Sequence, residues 1–339
     1  MAQTRFHCMT LCIMPAVFAV YLPMCAPRVT PAVRPWETPM AQLWEKPQDL
    51  EAQDLYHGPW GPERAPASDA RYTFVAKKQH GTNPGVTVTD PDGREWSVKQ
   101  APQNDQGAEG PVEVVLSRIL SAVGYHQPPV YFLPSFTMTD DTGTHTEPGG
   151  RFRLKTDMLA RRGEWSWQQN PFVGTRPYQG LLVILLMFDS SDLKNVNNTL
   201  YELRTPGEAP RTWYVVRDLG TALGETGRLT PKRSDPELFE RNRFINGVRD
   251  GYVEFHYHGW HQELLRQRIT PQEVRWASDL LAGLSYGQWT DAFRAGGYEP
   301  DVAERFIRRI LAKVAEGERL GLAPSQPPLR AVSSSGGVK

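Results

Sequence analysis

The segment from residue 177 to residue 220 constrains the fold of this chain more than any other part of the sequence. It opens with an apolar run at 177–187 that is typical of a buried helix. A polar loop at 188–198 comes directly after it, and a β-prone run at 212–216 leads into Asp218. The segment therefore predicts a helix, a polar loop, a strand and an acidic loop, in that order.

Three polar residues of this segment have the spacing that phosphoryl transfer uses. In that chemistry an Asp accepts the proton of the acceptor, an Asn five residues later binds a metal ion, and an Asp before a Gly holds the metals that bridge the phosphates. Asp192, Asn197 and Asp218 meet this pattern, and Leu-Gly comes after the last of them. Taken alone, they equally fit a helix followed by a surface hairpin whose Asn and Asp residues form turns.

The N-terminal half predicts three short strands with a glycine loop between the first two. The β-prone runs lie at 72–75, 86–89 and 96–99. The loop carries Gly81 and Gly85, and an Asp-Pro-Asp-Gly turn precedes the third run. Because glycine has no Cβ, such a loop can bring its backbone close to phosphate groups. The alternative is that the glycines only turn a hairpin, since they lack the G-x-G-x-x-G form.

A lysine and a glutamate come after the glycine loop. Lys99 ends the third strand, where its ammonium can neutralise the α- and β-phosphates of a nucleotide. Residues 111–124 have apolar residues at helical spacing, with Pro at the start and Gly at the stop. Glu113, in the first turn of that helix, is the natural ion-pair partner of Lys99. Each feature alone fits a solvated lysine or a glutamate that complements a helix dipole, and their joint order favours a phosphate site.

Taken together, these segments resemble the protein-kinase-like superfamily, in particular its divergent branch of HipA-like and phosphatidylinositol 3/4-kinase-like proteins. A set of uncharacterised bacterial proteins with this core is similar in more detail. The matching segments are Trp96-Ser97-Val98-Lys99, Glu113-Val114-Val115-Leu116-Ser117-Arg118, Gly163-Glu164-Trp165-Ser166-Trp167, Asn170-Pro171-Phe172-Val173-Gly174-Thr175, Asp192-Leu193-Lys194 and Asp218-Leu219-Gly220.

The resemblance covers about residues 70–320 and implies an α+β, bilobal protein-kinase-like fold. A small β-rich N-lobe with one main helix is expected at 70–158, and a larger, mostly helical C-lobe at 159–322, with helices in several segments from residue 237 onwards. Composition divides the rest of the chain into three segments. These are a signal-peptide-like segment at 1–25, a Pro/Gly-rich linker or strap at 26–69 and a disordered tail at 323–339.

The resemblance also implies a cofactor and a set of site residues. ATP and two divalent metal ions, Mg²⁺ or Mn²⁺, are expected between the lobes. The implied catalytic residues are Asp192 as base and Lys99 with Glu113 as the phosphate-anchoring pair. Asn197 and Asp218 are the implied metal ligands, and Gly81 and Gly85 join Lys99 and Glu113 in binding the nucleotide.

Departures from conventional protein kinases limit the inference about the acceptor. Ser190-Ser191 stands where those kinases carry His-Arg, and no Ala-Pro-Glu comes after Asp218. The segment at 221–236 takes the place of an activation loop without that anchor, so peptide recognition of the usual kind is not expected. Asp189, three residues before Asp192, is available as an alternative base or as a loop-capping residue.

The sequence thus predicts an ATP-dependent phosphotransferase, with ATP and an unidentified protein, lipid or small-molecule acceptor as its partners. Two alternatives stay open. One is a catalytically weak or inactive nucleotide-binding or scaffold protein of the same fold, and the other is a nucleotidyltransferase. The formal net charge is zero and the basic residues are scattered, so no nucleic-acid partner is expected.

The extreme N-terminus raises the question of compartment. Residues 9–24 are an apolar run after Arg5 and His7, shorter than a membrane span and typical of a signal-peptide h-region. This predicts export or association with the cell envelope, with any membrane contact made through residues 1–25. The alternative is a mis-assigned start codon and a cytoplasmic protein. The cysteines lie at positions 8, 12 and 25, so a processed chain has no disulfide and cysteine usage does not report the compartment.

Two further groups of residues have both a structural and a functional interpretation. His256, His258 and His261 are close enough in sequence for a zinc site, but no cysteine joins them, and exposed helix-end histidines are the simpler interpretation. Trp165, Trp167 and Phe172 form an aromatic loop. Packing at the lobe junction is expected for it, with stacking on an adenine or an acceptor as the alternative.

Overall fold

The computed structural model describes residues 39–79, 83–101, 109–229 and 231–320. The predicted signal-peptide-like segment at 1–25, the C-terminal tail at 323–339 and Gly81 lie outside these ranges. Within them, the structure contains no helix that is both long and apolar enough to cross a membrane.

The N-terminal part is a closed five-stranded barrel. Its strands are β1 (Arg71–Lys77), β2 (Gly85–Thr89), β3 (Glu95–Gln100), β4 (Val130–Asp140) and β5 (Gly143–Leu154). They hydrogen-bond in the order β1-β2-β3-β5-β4, and β4 returns to β1 as a parallel neighbour. Alternate side chains point inwards, and Tyr72, Trp96 and Phe152 fill the interior. The prediction of a β-rich N-terminal part is confirmed.

The register of β3 decides which side chains accompany Lys99. Lys99 lies opposite Gly85 of β2 and opposite Arg151 of β5. Directly opposed residues of antiparallel strands project to the same face of the sheet, whereas the preceding residue, Val98, projects into the barrel core. Lys99 and Arg151 therefore leave the barrel wall side by side.

One long helix comes after the first three strands. This helix, α1 (Glu109–Ala122), contacts β4 and β5 on one side and α5 (Tyr286–Ala295) on the other, and almost all of its residues are buried. It ends before Gly124, whose φ of +100° is a left-handed conformation suited to glycine. A Cβ at Gly124 would lie 2.1 Å from the carbonyl oxygen of Glu45, so the preceding strap segment also requires glycine there.

The C-terminal part is mainly helical, as predicted. Its other helices are α2 (Arg176–Met187), α3 (Pro236–Arg241), α4 (Pro271–Ala282) and α6 (Pro300–Leu320). A small antiparallel sheet accompanies them, with strands β6 (Leu159–Gly163), β7 (Asn198–Leu203) and β8 (Arg211–Val216) in that order. The apolar run at 177–187 is thus helical and the run at 212–216 is a strand, so Asp192 comes after α2 and Asp218 comes after β8, each in a loop.

One expectation was wrong, because part of the region predicted as helical is a β-hairpin. β9 (Ile245–Arg249) and β10 (Tyr252–Phe255) pair antiparallel. Asp250 and Gly251 form the turn, with φ of +52° and +83°. Two consecutive left-handed residues define a type I′ turn, for which Asp-Gly is among the strongest sequence signals. That signal between two β-prone runs outweighs the helical tendency of the surrounding sequence.

Residues 39–69 of the predicted strap pack against both parts of the molecule. The Trp44 indole donates a hydrogen bond of 2.7 Å to the carbonyl oxygen of Val123, just after α1. Its ring centroid lies 5.2 Å from that of Trp276 on α4. Gln288 of α5 donates its side-chain amide to the strap backbone at 2.7 Å. The strap therefore connects the end of α1 to the C-terminal helices.

Candidate active site

Three of the residues predicted from the sequence meet where β3, α1 and the loop after β8 come together. Lys99 Nζ lies 3.4 Å from Glu113 Oε2 and 3.3 Å from Asp218 Oδ1. The Lys99 and Glu113 side chains are almost fully buried, at 7% and 6% exposed, whereas Asp218 is 38% exposed. Burial of an ammonium requires compensating carboxylates, which these two residues supply. Asp218 is the member of the cluster that faces solvent.

A second glutamate, which sequence reasoning missed, binds Lys99 more closely than Glu113 does. Glu109 Oε2 lies 2.7 Å from Lys99 Nζ. The same carboxylate accepts hydrogen bonds from Asn83 of the glycine-loop region and from Arg233. A signal for Glu109 was present, because residues four apart on a helix share a face and Glu109 precedes Glu113 by one turn.

Arg151 of β5 is the second cation in the cluster. Its Nε lies 3.0 Å from Glu113 Oε1, so that Glu113 bridges two cations. Burial acts to raise the pKa of Glu113, but the charges of Arg151 and Lys99 outweigh it and lower the pKa overall. Burial likewise acts to raise the pKa of Asp218, and Lys99 followed by Arg217 holds that pKa well below its usual range. Both carboxylates are therefore ionised at neutral pH.

The loop after β8 lies directly on the first turn of α1. A Cβ at Gly220 would lie 2.5 Å from the Cβ of Glu109, so only glycine allows this approach. Asp218 has a φ of +53°, in the left-handed region that Asp tolerates better than most residues. The Asp-Leu-Gly sequence therefore provides both the turn that directs the Asp218 carboxylate to Lys99 and the close contact behind it.

Gly85 begins β2 directly opposite Lys99. A Cβ at this position would lie 2.3 Å from the carbonyl oxygen of Val98, so glycine is required for the approach of β2 to β3. The other predicted loop glycine, Gly81, lies outside the described residues. The contacts of Gly85 thus give it a structural task beside Lys99, and nucleotide binding by Gly81 and Gly85 stays a prediction.

The Asp192 loop forms a short 3-10 turn at Asn195–Asn197 before β7. Asn197 donates its side-chain Nδ2 to the carbonyl oxygen of Asp192 at 2.9 Å, the only hydrogen bond of its side chain among the described residues. Lys194 Nζ lies 2.8 Å from Asp192 Oδ1 as an ion pair, yet Oδ1 accepts no aligned hydrogen bond from the described residues. The amide oxygen of Asn197 is therefore available to a ligand, whereas Asp192 Oδ1 is itself buried and paired with Lys194.

Backbone hydrogen bonds join this loop to the Asp218 loop. The Arg217 N–H donates to Asn197 O at 2.9 Å, and the Ser191 N–H donates to Thr221 O at 3.1 Å. A third bond runs from the N–H of Leu223, after the Asp218 loop, to Phe188 O at 2.8 Å. The two loops consequently run side by side. Among the described residues, Asp192 and Asn197 are connected to the Lys99 cluster through this backbone pairing and not through a direct side-chain contact.

Asp189 cannot serve as the alternative base that the sequence left open. Its side chain is 2% exposed, and Oδ1 lies 2.8 Å from Nζ of Lys313, whose side chain is fully buried. Oδ2 accepts a hydrogen bond of 3.2 Å from the Asn242 amide. Both carboxylate oxygens are thus engaged away from solvent, whereas the Asp192 side chain is 20% exposed. Burial, which the sequence does not show directly, distinguishes the two acids.

The histidines at 256, 258 and 261 do not form a metal site. His256 and His258 contact each other edge to face, and His261 Nδ1 lies 2.6 Å from Glu263 and 2.9 Å from Gln168. In the part of the chain that the structure describes, no group of three His, Cys, Asp or Glu residues could hold a metal ion. The expectation of helix-end histidines holds for His261, which caps the 3-10 helix Gln262–Leu264, whereas His256 and His258 lie in the loop after β10.

The aromatic loop is part of the core. Trp165, Trp167 and Phe172 are 5%, 0% and 1% exposed. The Trp165 indole donates to the carbonyl oxygen of Val215 on β8 at 3.1 Å, and Asn195 Oδ1 accepts the backbone N–H of Trp167 at 2.9 Å. The aromatic loop is therefore hydrogen-bonded to β8 and to the Asp192 loop, and its buried rings leave no free face for an adenine.

Two surface cavities lie elsewhere on the molecule. One, of about 540 Å³, lies between the strap, the end of α1 and the ends of β7 and β8. The other, of about 560 Å³, lies beside the β9–β10 hairpin. Neither is lined by Lys99, Glu113, Asp192, Asn197 or Asp218. Within the candidate site, Lys99 is paired with Glu109, Glu113 and Asp218, and of these three contacts the one to Glu109 is the shortest.

Comparison with known proteins yields similarity to solved structures only. No protein-family model matches the chain, and no curated protein matches it. The crystal structure of CtkA, a proinflammatory kinase of Helicobacter pylori, is similar with a TM-score of 0.44 and 9% identity over 77% of this chain and 100% of that chain. The Golgi casein kinase is similar with a TM-score of 0.37 and 11% identity over 82% of this chain and 76% of that chain. Similarity at TM-scores below 0.5 does not assign a function, so the activity has to be inferred from the side chains.

Proposed function

We propose that this chain is a metal- and ATP-dependent phosphotransferase with a kinase-like active site. One observation carries the proposal. A buried lysine on a barrel strand bridges a helix glutamate and an aspartate whose loop is hydrogen-bonded to a second loop with an aspartate and an asparagine. These are the positions that phosphoryl transfer needs for anchoring phosphates, binding metal and activating an acceptor. The finer placement in the HipA-like and phosphatidylinositol-kinase-like branch rests on two departures, Ser190-Ser191 in place of His-Arg and the missing Ala-Pro-Glu after Asp218.

The side chains present fit Mg²⁺ or Mn²⁺ with a nucleotide. Asp218 offers an ionised, partly exposed carboxylate, and Asn197 offers an amide oxygen because its Nδ2 is already used. Hard oxygen ligands of this kind are what Mg²⁺ prefers, with water and phosphate oxygens completing its shell. When bound, the metal would neutralise charge on the β- and γ-phosphates. Lys99 would hold the phosphates, and Glu113 with Arg151 would keep the Lys99 side chain in place.

Asp192 is the proposed acceptor of the proton from the substrate hydroxyl. Its carboxylate is the more exposed of the two acids in the loop, and the hydroxyl would approach it through Oδ2, because Oδ1 is buried. Lys194, 2.8 Å from that oxygen, also lies 4.9 Å from the ring centroid of Trp260. A lysine held at this position would orient the reacting groups once the hydroxyl approaches Asp192, because positioning supplies much of the rate in phosphoryl transfer.

Nucleotide binding requires Glu109 to release Lys99. We therefore expect Glu109→Gln to tighten the binding of Mg-ATP by about tenfold, roughly 1.4 kcal/mol, because it removes a charge that competes with the phosphates for Lys99. Isothermal titration calorimetry with wild type and variant measures this. Asp92→Asn is the matched control, because its 76% exposed side chain lies in the turn at the other end of the β2–β3 pair. Unchanged or weaker binding by Glu109→Gln would contradict the role given to Glu109.

A specific observation also favours a second candidate, a nucleotide-binding or scaffold protein without turnover. Lys99 is engaged by Glu109 in addition to Glu113 and Asp218. A lysine occupied in this way would bind nucleotide poorly, or the site would bind nucleotide without consuming it. Nucleotidyl transfer is the third possibility, since the same residues could bind ATP in the reverse orientation.

A single-turnover assay distinguishes these candidates. Purified protein is mixed in excess over γ-labelled ATP, with Mg²⁺ present. The label is expected to move to protein or to water, and EDTA is expected to abolish the reaction. A parallel assay with α-labelled ATP is expected to leave that label in free nucleotide. Covalent labelling from α-labelled ATP would instead establish nucleotidyl transfer. Metal-dependent nucleotide binding with both labels retained in ATP would establish the scaffold function.

A further inference from the structure

A buried ion pair lies at the start of the Asp192 loop and has no part in the chemistry proposed above. Lys313 of α6 and Asp189 are 0% and 2% exposed, and Lys313 Nζ lies 2.8 Å from Asp189 Oδ1. The ammonium also lies 4.1 Å from the ring centroid of Phe239 on α3. Replacing such a buried pair with apolar residues is often neutral or stabilising, so the pair by itself is weak evidence for a stabilising role. Its location suggests another use.

The Asp189 carboxylate connects three parts of the C-terminal region. Oδ1 binds Lys313 of α6, and Oδ2 accepts a hydrogen bond of 3.2 Å from Asn242 Nδ2. The same Asn242 amide donates to the carbonyl oxygen of Gly224, in the segment after Asp218, at 2.6 Å. Arg309 of α6 in turn donates to the Asn242 carbonyl oxygen. One carboxylate therefore ties α6 and the segment after Asp218 to the start of the Asp192 loop.

The backbone at Asp189 needs this support. Asp189 comes directly after the end of α2 and has a φ of +53°, in the left-handed region that non-glycine residues seldom adopt. The chain turns there to start the loop, and Asp192 is three residues further on. Ser191, between them, has a buried hydroxyl oxygen with no hydrogen-bond partner among the described residues. Asp189 therefore supplies the loop's own side-chain anchor at this point, and the Tyr257 hydroxyl adds a hydrogen bond of 3.0 Å to the Ser191 carbonyl oxygen.

We propose that Asp189 and Lys313 are positioning residues that hold the backbone turn from which the Asp192 loop projects. The proposal rests on the proposed function for its effect on catalysis, but its structural part can be tested separately. Neither residue would touch the substrate. Their pairing would fix the direction in which the loop leaves α2, and a displacement of about 1 Å at a reacting group can cost on the order of 100-fold in rate.

The test compares Asp189→Asn combined with Lys313→Met against a matched pair on the same helix. The double replacement avoids an uncompensated buried charge, which either single replacement would create and which could prevent folding. The control combines Glu240→Gln with Arg305→Met. That pair also joins α3 to α6, at 2.6 Å, but its side chains are 30% and 36% exposed, and among the described residues Glu240 pairs only with Arg305 and Arg308 of α6.

Two readouts decide the outcome. The Asp189/Lys313 variant is expected to lower kcat for phosphoryl transfer by about 100-fold while KM for ATP stays within about twofold, whereas the control pair changes neither. Amide hydrogen exchange is expected to show lost protection at residues 189–193 and unchanged protection across β7 and β8. Unchanged kcat and protection would overturn the proposal. So would an equal loss in both double variants, because that would indicate general destabilisation.

The experiment distinguishes an error in the proposed function from an error in the role given to Asp189 and Lys313. If the wild-type protein transfers no phosphoryl group, the proposed function is wrong and hydrogen exchange alone decides the role of the pair. Lost protection confined to residues 189–193 in the Asp189/Lys313 variant would then support positioning of the loop, and unchanged protection would refute it.

Discussion

Asp192→Asn is expected to lower the rate of phosphoryl transfer by about 10² to 10⁴-fold, the range typical of losing a positioned general base. Asparagine keeps the size of the side chain and its ability to accept a hydrogen bond, but it cannot take a proton at neutral pH. Because Asp192 makes no contact with the Lys99 cluster among the described residues, the affinity for Mg-ATP is expected to remain near that of wild type. Single-turnover transfer of γ-label and calorimetric binding of Mg-ATP measure the two quantities.

A surface variant provides the comparison for Asp192. Asp291 lies on α5, is 41% exposed and pairs with Arg294 at 3.0 Å, so Asp291→Asn makes the same chemical change away from the site. Its transfer rate is expected to match wild type. Equal rates in Asp192→Asn and wild type would remove Asp192 as the base. Lost ATP binding in Asp192→Asn would show instead that the loop serves the nucleotide.

Asp218→Asn is expected to weaken metal-dependent binding of ATP by at least about 100-fold. Replacing a residue that only orients a metal ligand costs up to about 100-fold in metal affinity, and loss of a charged ligand is expected to cost no less. Titration of Mn²⁺ into protein with ATP, followed by the electron paramagnetic resonance signal of free Mn²⁺, measures this directly. Asp157→Asn is a suitable control, since that aspartate lies in the β5–β6 connection, outside the Lys99 cluster. Equal Mn²⁺ affinity in wild type and Asp218→Asn would contradict the assignment of Asp218 as a ligand.

The same variant also has a pH signature. Lys99 and Arg217 outweigh burial and hold the pKa of Asp218 below its ordinary value of 3.8 in the folded state. A carboxylate with a lowered folded pKa contributes stability above its unfolded pKa, and that contribution is lost as the pH falls towards the folded pKa. The free energy of unfolding of wild type is therefore expected to fall more steeply below pH 3.8 than that of Asp218→Asn. Parallel curves from urea titrations across this range would show that Asp218 is not held ionised by Lys99.

The local elements around the site could be predicted because local patterns specify them. The apolar run before Phe188 has helical length and a Thr-x-Pro start, and α2 begins at Arg176 after a Thr175 cap. Strand β8 arises from a β-branched and aromatic run that ends before Asp218. The residues of β9 and β10 show the limit of such patterns, because they were expected to be helical. The two-residue Asp-Gly turn between them favours a β-hairpin instead.

The complete set of ion-pair partners around Lys99 could not be predicted from the same patterns, although Glu113 could. Glu109 and Glu113 lie one turn apart on α1, so spacing alone allows either to bind Lys99, and the fold gives the shorter contact to Glu109. Arg151 shares the cluster only because β5 pairs with β3 in a register that sets it opposite Lys99. These choices depend on strand register and helix placement, to which residues far apart in sequence contribute.

By itself, the sequence determined the order of the elements that carry the candidate site and the residue types there, because helical and strand periodicity, turn residues and motif spacing are local properties. It also determined that Asp192, Asn197 and Asp218 would lie on loops beside regular elements. Only the tertiary structure decided that Asp189 is buried against Lys313 while Asp192 stays partly exposed, and that Glu109 occupies Lys99. The reason is physical: burial and long-range ion pairs depend on which distant segments pack together, and that packing is a property of the whole chain.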